Sequence, residues 1–278
     1  MNIKLIVATH KEYWMPEDDI YLPLHVGAEG KLDSSGNPLD LGFQKDNTGE
    51  NISEKNSSYC ELTGLYWAWK NLDADFLGLV HYRRHFTIGS RALKKYNKNF
   101  GEGNVSEQNK ALNKKQQKIL TGGQLKVLLR KHDVILPKPR NYYIETNYGQ
   151  YVHAHNSADL DITRDIISER YSEYLKAYDD YMKKTSGHRF NMFIMKREFF
   201  DEYAEWLFDI LFELEKRIDI SEYSDYDSRI FGFVSERLLD VWINTKGLDY
   251  VELPYIFMEK QNWLIKGGNF LKRKFIGK

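Results

Sequence analysis

Only one cysteine, Cys60, occurs in 278 residues, so no disulfide can form within the chain, and the sequence fits a reducing compartment. No apolar run approaches the roughly 18 residues that a membrane-spanning helix needs. The opening MNIKLIVATHK turns polar too soon for the core of a signal peptide, and the chain reads as cytoplasmic and non-spanning. Excess charge is missing too. The 40 Lys plus Arg balance 40 Asp plus Glu, so no overall field recruits nucleic acid and any electrostatic recruitment must be local. Aromatic residues, by contrast, are plentiful. With 19 Tyr and 6 Trp they suit flat ligands such as sugars and bases, and equally a Tyr-rich core.

The apolar run Ile3–Ala8 ends in Thr9, His10 and Lys11, the form of a first strand whose carboxyl end faces a ligand crevice. Residues 12–50 read as loops with one short strand. Ser58 and Glu61 are spaced as a capping box, and Tyr59, Leu62, Leu65, Tyr66 and Trp69 recur at helical spacing up to Asn71. A strand over Phe76–Val80 follows. Residues 88–122 hold seven Lys and one Arg against two Glu, a net of +6 with little periodicity, and read as a mobile basic excursion. A helix over 124–131 and a strand over 133–136, stopped by Pro137, resume the α/β rhythm. The second half is mostly helical, over roughly 158–183, 197–217 and 226–243, with a strand near 191–195.

The run FLGLVHYRRHF delivers His81, Tyr82, Arg83 and Arg84 to a strand end. Two guanidiniums there could fork onto a phosphate, or pair with acidic helices as structural ion pairs; spacing leaves both readings open. Asp73 and Asp75 form Asp-x-Asp, the usual holder of a divalent Mn or Mg ion on a diphosphate. They precede the strand, where a turn role fits better, so no metal site is assigned. The stretch DNTGENISEKN, with Asp46, Asn51, Ser53 and Asn56, precedes a helix start and suits either a nucleotide contact or an ordinary capped turn. His153, His155, Asp159 and Asp161 have the wrong spacing for a metal set. Glu236 lies opposite the apolar face of its helix, which favours a solvated carboxylate unless that face lines a cleft. From Glu259 onward five Lys and one Arg face one Glu among Trp, Phe and Leu, a pattern suited to an anionic membrane surface or to docking on the chain itself.

The phrases DNTGENISEKNSSYCELTGLYWAWKN, LGLVHYRRHF, DVILPKPRNYYIET, FNMFIMKREFFDEYAEWLFDILFELEKRID and SRIFGFVSERLLDVW, in this order, resemble the bacterial glycosyltransferase family of capsular and exopolysaccharide gene clusters, long described as a domain of unknown function. The resemblance covers about Ile3 to Trp242. It implies an α/β, GT-A-like nucleotide-sugar-binding sheet flanked by helices, as one domain over 1–258 with a basic amphipathic tail over 259–278. It further implies transfer, with inversion, from a UDP-sugar, UDP-galactofuranose among them, to a lipid-linked saccharide. Under it Thr9, His10, Lys11, Asp46, Asn51, Ser53, Asn56, His81, Tyr82, Arg83 and Arg84 fall on the donor side, and His155 and Asn191 on the acceptor side. Glu236, then Asp161, are the candidate bases. Two rivals remain: a non-catalytic carbohydrate-binding subunit of the same pathway, and a metal-dependent phosphate-ester hydrolase built on His153, His155, Asp159 and Asp161.

Overall fold

Ile3–Thr9 (β1) is apolar at nearly every position because both of its faces are covered, as befits the centre of a mostly parallel sheet. Its side chains alternate: Ile6 and Ala8 join a large core on one side, and Leu5 and Val7 a smaller core on the other. The computed structural model describes residues 1–88 and 114–259. Parallel to β1 run Tyr21–His25 (β2) on one side and Phe76–His81 (β4) on the other, with Gln44–Lys45 (β3) beyond β2. Phe193–Lys196 (β9) runs antiparallel between β4 and Val134–Pro137 (β6), and Val251–Leu253 (β10) pairs parallel with β6. The sheet order is thus β10-β6-β9-β4-β1-β2-β3, with one reversed strand. The β4–β9 approach is close enough that a Cβ on Gly78 would sit 2.6 Å from the Phe193 carbonyl oxygen, so only glycine fits there.

The larger core is covered by helices. Leu62–Asn71 (α2), Arg197–Arg217 (α7) and Ile230–Lys246 (α8) place their apolar stripes on one sheet face, and Ala158–Arg170 (α5) and Ser172–Lys183 (α6) pack outside them. The expected capping box at Ser58 and Glu61 does not form. Asn56–Tyr59 (α1) ends at Cys60, whose φ of +53° breaks the helix before α2 begins. Ser58 Oγ donates instead to the Lys55 carbonyl, and Glu61 turns to Asn191.

Of the basic excursion expected over 88–122, residues 89–113 lie outside the described residues. Residues 114–122 are ordered against the sheet, with Leu120 and Ile119 buried. Of the basic tail, 260–278 lies outside the described residues. Among those described, no helix is long and apolar enough to cross a membrane.

Candidate functional site

The parallel strands end on one side of the molecule, and the segments following them build a cleft of about 480 Å³ there. Strand β4 delivers the first wall through a two-residue hairpin: His81 pairs with Arg84 at the start of Arg84–Phe86 (β5). Tyr82 N–H donates to the Ala8 carbonyl, while the Arg83 carbonyl accepts from Met258 N–H on the strand Tyr255–Phe257 (β11) side. The hairpin is clamped from both neighbours. Tyr82 is buried beneath it, while His81, Arg83 and Arg84 line the cleft.

The facing wall comes from α8, from which Gly232, Phe233, Glu236 and Arg237 project, and from Cys60 and Glu61 at the break before α2. Arg140, just past β6, closes the cleft with Tyr142, Glu145, His153 and His155. Five arginines (83, 84, 140, 229 and 237) therefore meet three glutamates (61, 145 and 236), and the lining is set up for an anion.

Arg84 carries the strongest signal. Its guanidinium lies over the rings of Phe190 (4.2 Å) and Phe257 (5.5 Å), and among the described residues the buried Nε atoms of Arg83 and Arg84 have no hydrogen-bond partner. Burial lowers the Arg84 pKa, opposed by the pull of Glu61 and Glu236. A buried, unmatched cation is unfavourable by itself and is retained where a ligand supplies the missing charge. Arg83 reaches Glu259 at 3.5 Å, and Lys11 reaches the same carboxylate at 3.9 Å.

The two carboxylates pin a strained stretch. Phe190 and Asn191 both have positive φ (+74° and +52°), rare for residues with a Cβ and a cost of about 1–3 kcal/mol each. Phe190 N–H donates to Glu236 Oε1 (3.0 Å), and Asn191 Nδ2 donates to Glu61 Oε1 (2.9 Å) and the Gly232 carbonyl (3.3 Å). Burial raises the Glu61 pKa. Glu236 keeps its other oxygen 3.4 Å from Arg237 Nη1 and open to the cleft.

Burial, then Arg84 and Arg83, push His81 down to about 2, so it is neutral at working pH. Because Arg83 N–H donates to its Nδ1 (3.3 Å), the ring proton sits on Nε2, a neutral donor. Burial likewise lowers His85 to about 4. A histidine depressed in the fold binds its proton only when unfolded, so this stability is present above pH 6.5 and lost as pH falls towards the folded values. Chemical denaturation should show stability falling below pH 6.5 by up to about 1.4 kcal/mol per pH unit for each such histidine. The slope should shrink in His81→Asn.

Other sequence candidates are placed elsewhere. Asp46 is fully buried and accepts from Gly27 N–H (2.8 Å), Ala28 N–H (3.1 Å), Ser53 Oγ (2.5 Å) and Thr63 Oγ1 (2.6 Å). Asn51 closes a turn on Gly49 and Ser53, and Asn56 ties Cys60 to Thr63. These four residues organise the loop after β2 and do not line the cleft. Asp46→Ala should therefore destabilise the fold by about 3–5 kcal/mol, since it strands four buried donors; a thermal melt reads this directly. Thr9 bonds the Lys11 carbonyl (2.7 Å), and His10 and Lys11 stand over the Tyr82 ring, beside the cleft. Asn191 acts from behind Glu61.

Asp161 sits on α5, bonded to Tyr148 Oη (3.0 Å) and outside the residues that line the cleft. The hydrolase set is likewise dispersed. His153 pairs with Glu145, His155 with Asp227, and Asp159 with Tyr151 and Tyr223. Asp75 binds the Asn2 backbone at the opposite end of β4, and among the described residues no group of three or more His, Cys, Asp or Glu could hold a metal ion. Glu61, Arg140, Tyr142, Glu145, Arg229 and Arg237 were not apparent from sequence.

No curated protein matches the chain. A solved apo structure of the bifunctional glycosyltransferase WbbM is similar, with a TM-score of 0.79 and 29% identity over 94% of this chain and 46% of that one. The chain thus spans about half the length of that neighbour. The mixed α/β sheet flanked by helices matches a glycosyltransferase fold, as the GT-A-like expectation required. The profile described as Domain of unknown function (DUF4422) matches residues 4–247, and the chain belongs to that family.

Proposed function

We propose that this chain is a glycosyltransferase that moves a sugar from a UDP-sugar, galactofuranose among the candidates, to a lipid-linked saccharide in bacterial capsule or exopolysaccharide synthesis. The observation that carries it is the adjacent Arg83 and Arg84 at the carboxyl end of the sheet, whose buried Nε atoms have no hydrogen-bond partner among the described residues, in the cleft that Glu236 also lines. Family membership and the likeness to WbbM support the same reading.

The reaction is a displacement with inversion at the anomeric carbon. The acceptor oxygen bonds to that carbon while its bond to the UDP oxygen breaks. Glu236 takes the acceptor proton, and the charge gathering on the diphosphate meets Arg83 and Arg84, with His81 Nε2–H as a neutral donor. The acceptor lies towards His155, which also borders a second groove with Tyr148, Tyr223, Asn156, Glu222 and Asp227, a lining of rings, an amide and carboxylates suited to the faces and hydroxyls of further sugar units. Residues 1–258 form the catalytic domain in this reading, and the basic tail 259–278 holds it at the inner face of the membrane.

The test is UDP release from a panel of UDP-sugars, with and without membrane-extracted polyprenyl-linked saccharide. Release that depends on the acceptor is expected. Binding of saccharide with no turnover would instead favour the non-catalytic carbohydrate-binding subunit.

A further inference from the structure

Tyr143 and Ile144 are 81% and 68% exposed, the two most exposed large apolar side chains among the described residues, and they are adjacent. Tyr142 and Glu145, on either side of them, line the cleft, so the pair stands at its mouth. The exposure is built in. Tyr143 has φ +61°, a conformation disfavoured for an aromatic residue, and its N–H is held by Asn141 Oδ1 (2.7 Å). Tyr142 N–H donates to the Thr185 carbonyl (2.8 Å), Ile144 N–H to the Tyr142 carbonyl (2.7 Å) and Asn147 N–H to the Lys184 carbonyl (2.7 Å). These bonds fasten the base of the loop and leave its tip outside.

The surface around the tip is cationic. Lys138, Arg140, Lys183 and Lys184 are exposed, and none of them forms an ion pair among the described residues. The nearby acids are occupied: Glu145 turns inward to His153, Asp179 pairs with Arg164 (2.7 Å) and Asp180 with Lys176 (2.5 Å). A tyrosine and an isoleucine on a loop flanked by exposed cations that form no close ion pair among the described residues have the composition of a contact with an anionic bilayer, where the apolar side chains enter the headgroup boundary and the cations meet lipid phosphates. Two residues are too small a patch for a stable protein interface, which buries on the order of 1,200–2,000 Å².

We propose that the Tyr143–Ile144 tip docks on the surface of an anionic lipid bilayer and so presents the cleft mouth to a membrane-borne acceptor. The tip's purpose rests on the function proposed above; its binding to lipid does not, and can be read without any sugar. The experiment is flotation of the full chain with vesicles of phosphatidylcholine alone and vesicles in which a quarter of the lipid is phosphatidylglycerol, at low and high salt. A thermal melt in solution serves as the folding control, and UDP binding is measured separately.

The wild type should float with the anionic vesicles and not with the neutral ones, and salt should weaken it. Tyr143→Ser with Ile144→Ser should lower partitioning on the order of tenfold with the melting midpoint kept. Lys138→Gln with Lys184→Gln should weaken the salt dependence. Flotation of the serine variant equal to wild type would overturn the proposal and leave the tail as the anchor. A wild type that ignores anionic vesicles, or a dimer in solution dissolved by the serine variant, would overturn it as well. Loss of UDP binding in an otherwise membrane-bound wild type would count against the catalytic reading alone.

Discussion

Arg84→Gln should lower transfer from a UDP-sugar by about 10²–10³-fold in kcat, the effect of removing one preorganised donor from the place where negative charge develops. Thermal stability should hold or rise slightly. The guanidinium touches the rings of Phe190 and Phe257, and among the described residues its buried Nε has no hydrogen-bond partner to strand, so its removal relieves a partly buried cation that Glu61 and Glu236 offset only by their charge. Arg84→Lys should recover only part of the loss, because an ammonium restores the charge without the planar fork. Steady-state kinetics beside a melting curve read the two effects separately. A structural ion-pair role predicts the opposite pattern, a lower midpoint with turnover preserved.

The second large effect belongs to Glu236. Replacement by Gln keeps an oxygen to accept from Phe190 N–H, so the strained Phe190–Asn191 segment stays pinned while the proton acceptor is lost. The expected result is a fall in kcat of about 10²–10⁴-fold. UDP affinity, measured by calorimetry, should change little, since the loss falls on the transition state. Glu61→Gln is the internal comparison. Its carboxyl is committed to Asn191 and held above the usual carboxylate range by burial, so its effect should be smaller. The reverse ranking would move the proton-accepting role to Glu61.

The elements that sequence makes legible are those whose burial is complete and local. Phe76–Val80, and Ile3–Ala8 at every position but Lys4, are apolar because both sheet faces are covered, and the stripe of Arg197–Arg217 follows from helical spacing against one core. The hairpin that points Arg83 and Arg84 into the cleft follows directly from where that strand ends. What escapes the sequence depends on distant partners. The reversed direction of Phe193–Lys196 leaves no mark in its composition, and Cys60 takes a positive φ that its residue type does not announce. Glu61 has the spacing of a cap and instead reaches Asn191, 130 positions away. Arg229 and Arg237, at the start and along one helix, meet Arg140 only when that helix and the segment after β6 fold together. Conversely, Asp46 carries the polar density of a binding loop, and that density satisfies the loop's own backbone.

A crystal structure of the full chain with UDP bound tests the central claim most directly. The account predicts the diphosphate in the cleft, with guanidinium nitrogens of Arg83 and Arg84 at about 2.7–2.9 Å from its oxygens and Glu236 facing the free side of the terminal phosphate. A diphosphate bound elsewhere, or held through a divalent ion with both guanidiniums turned away, would contradict it.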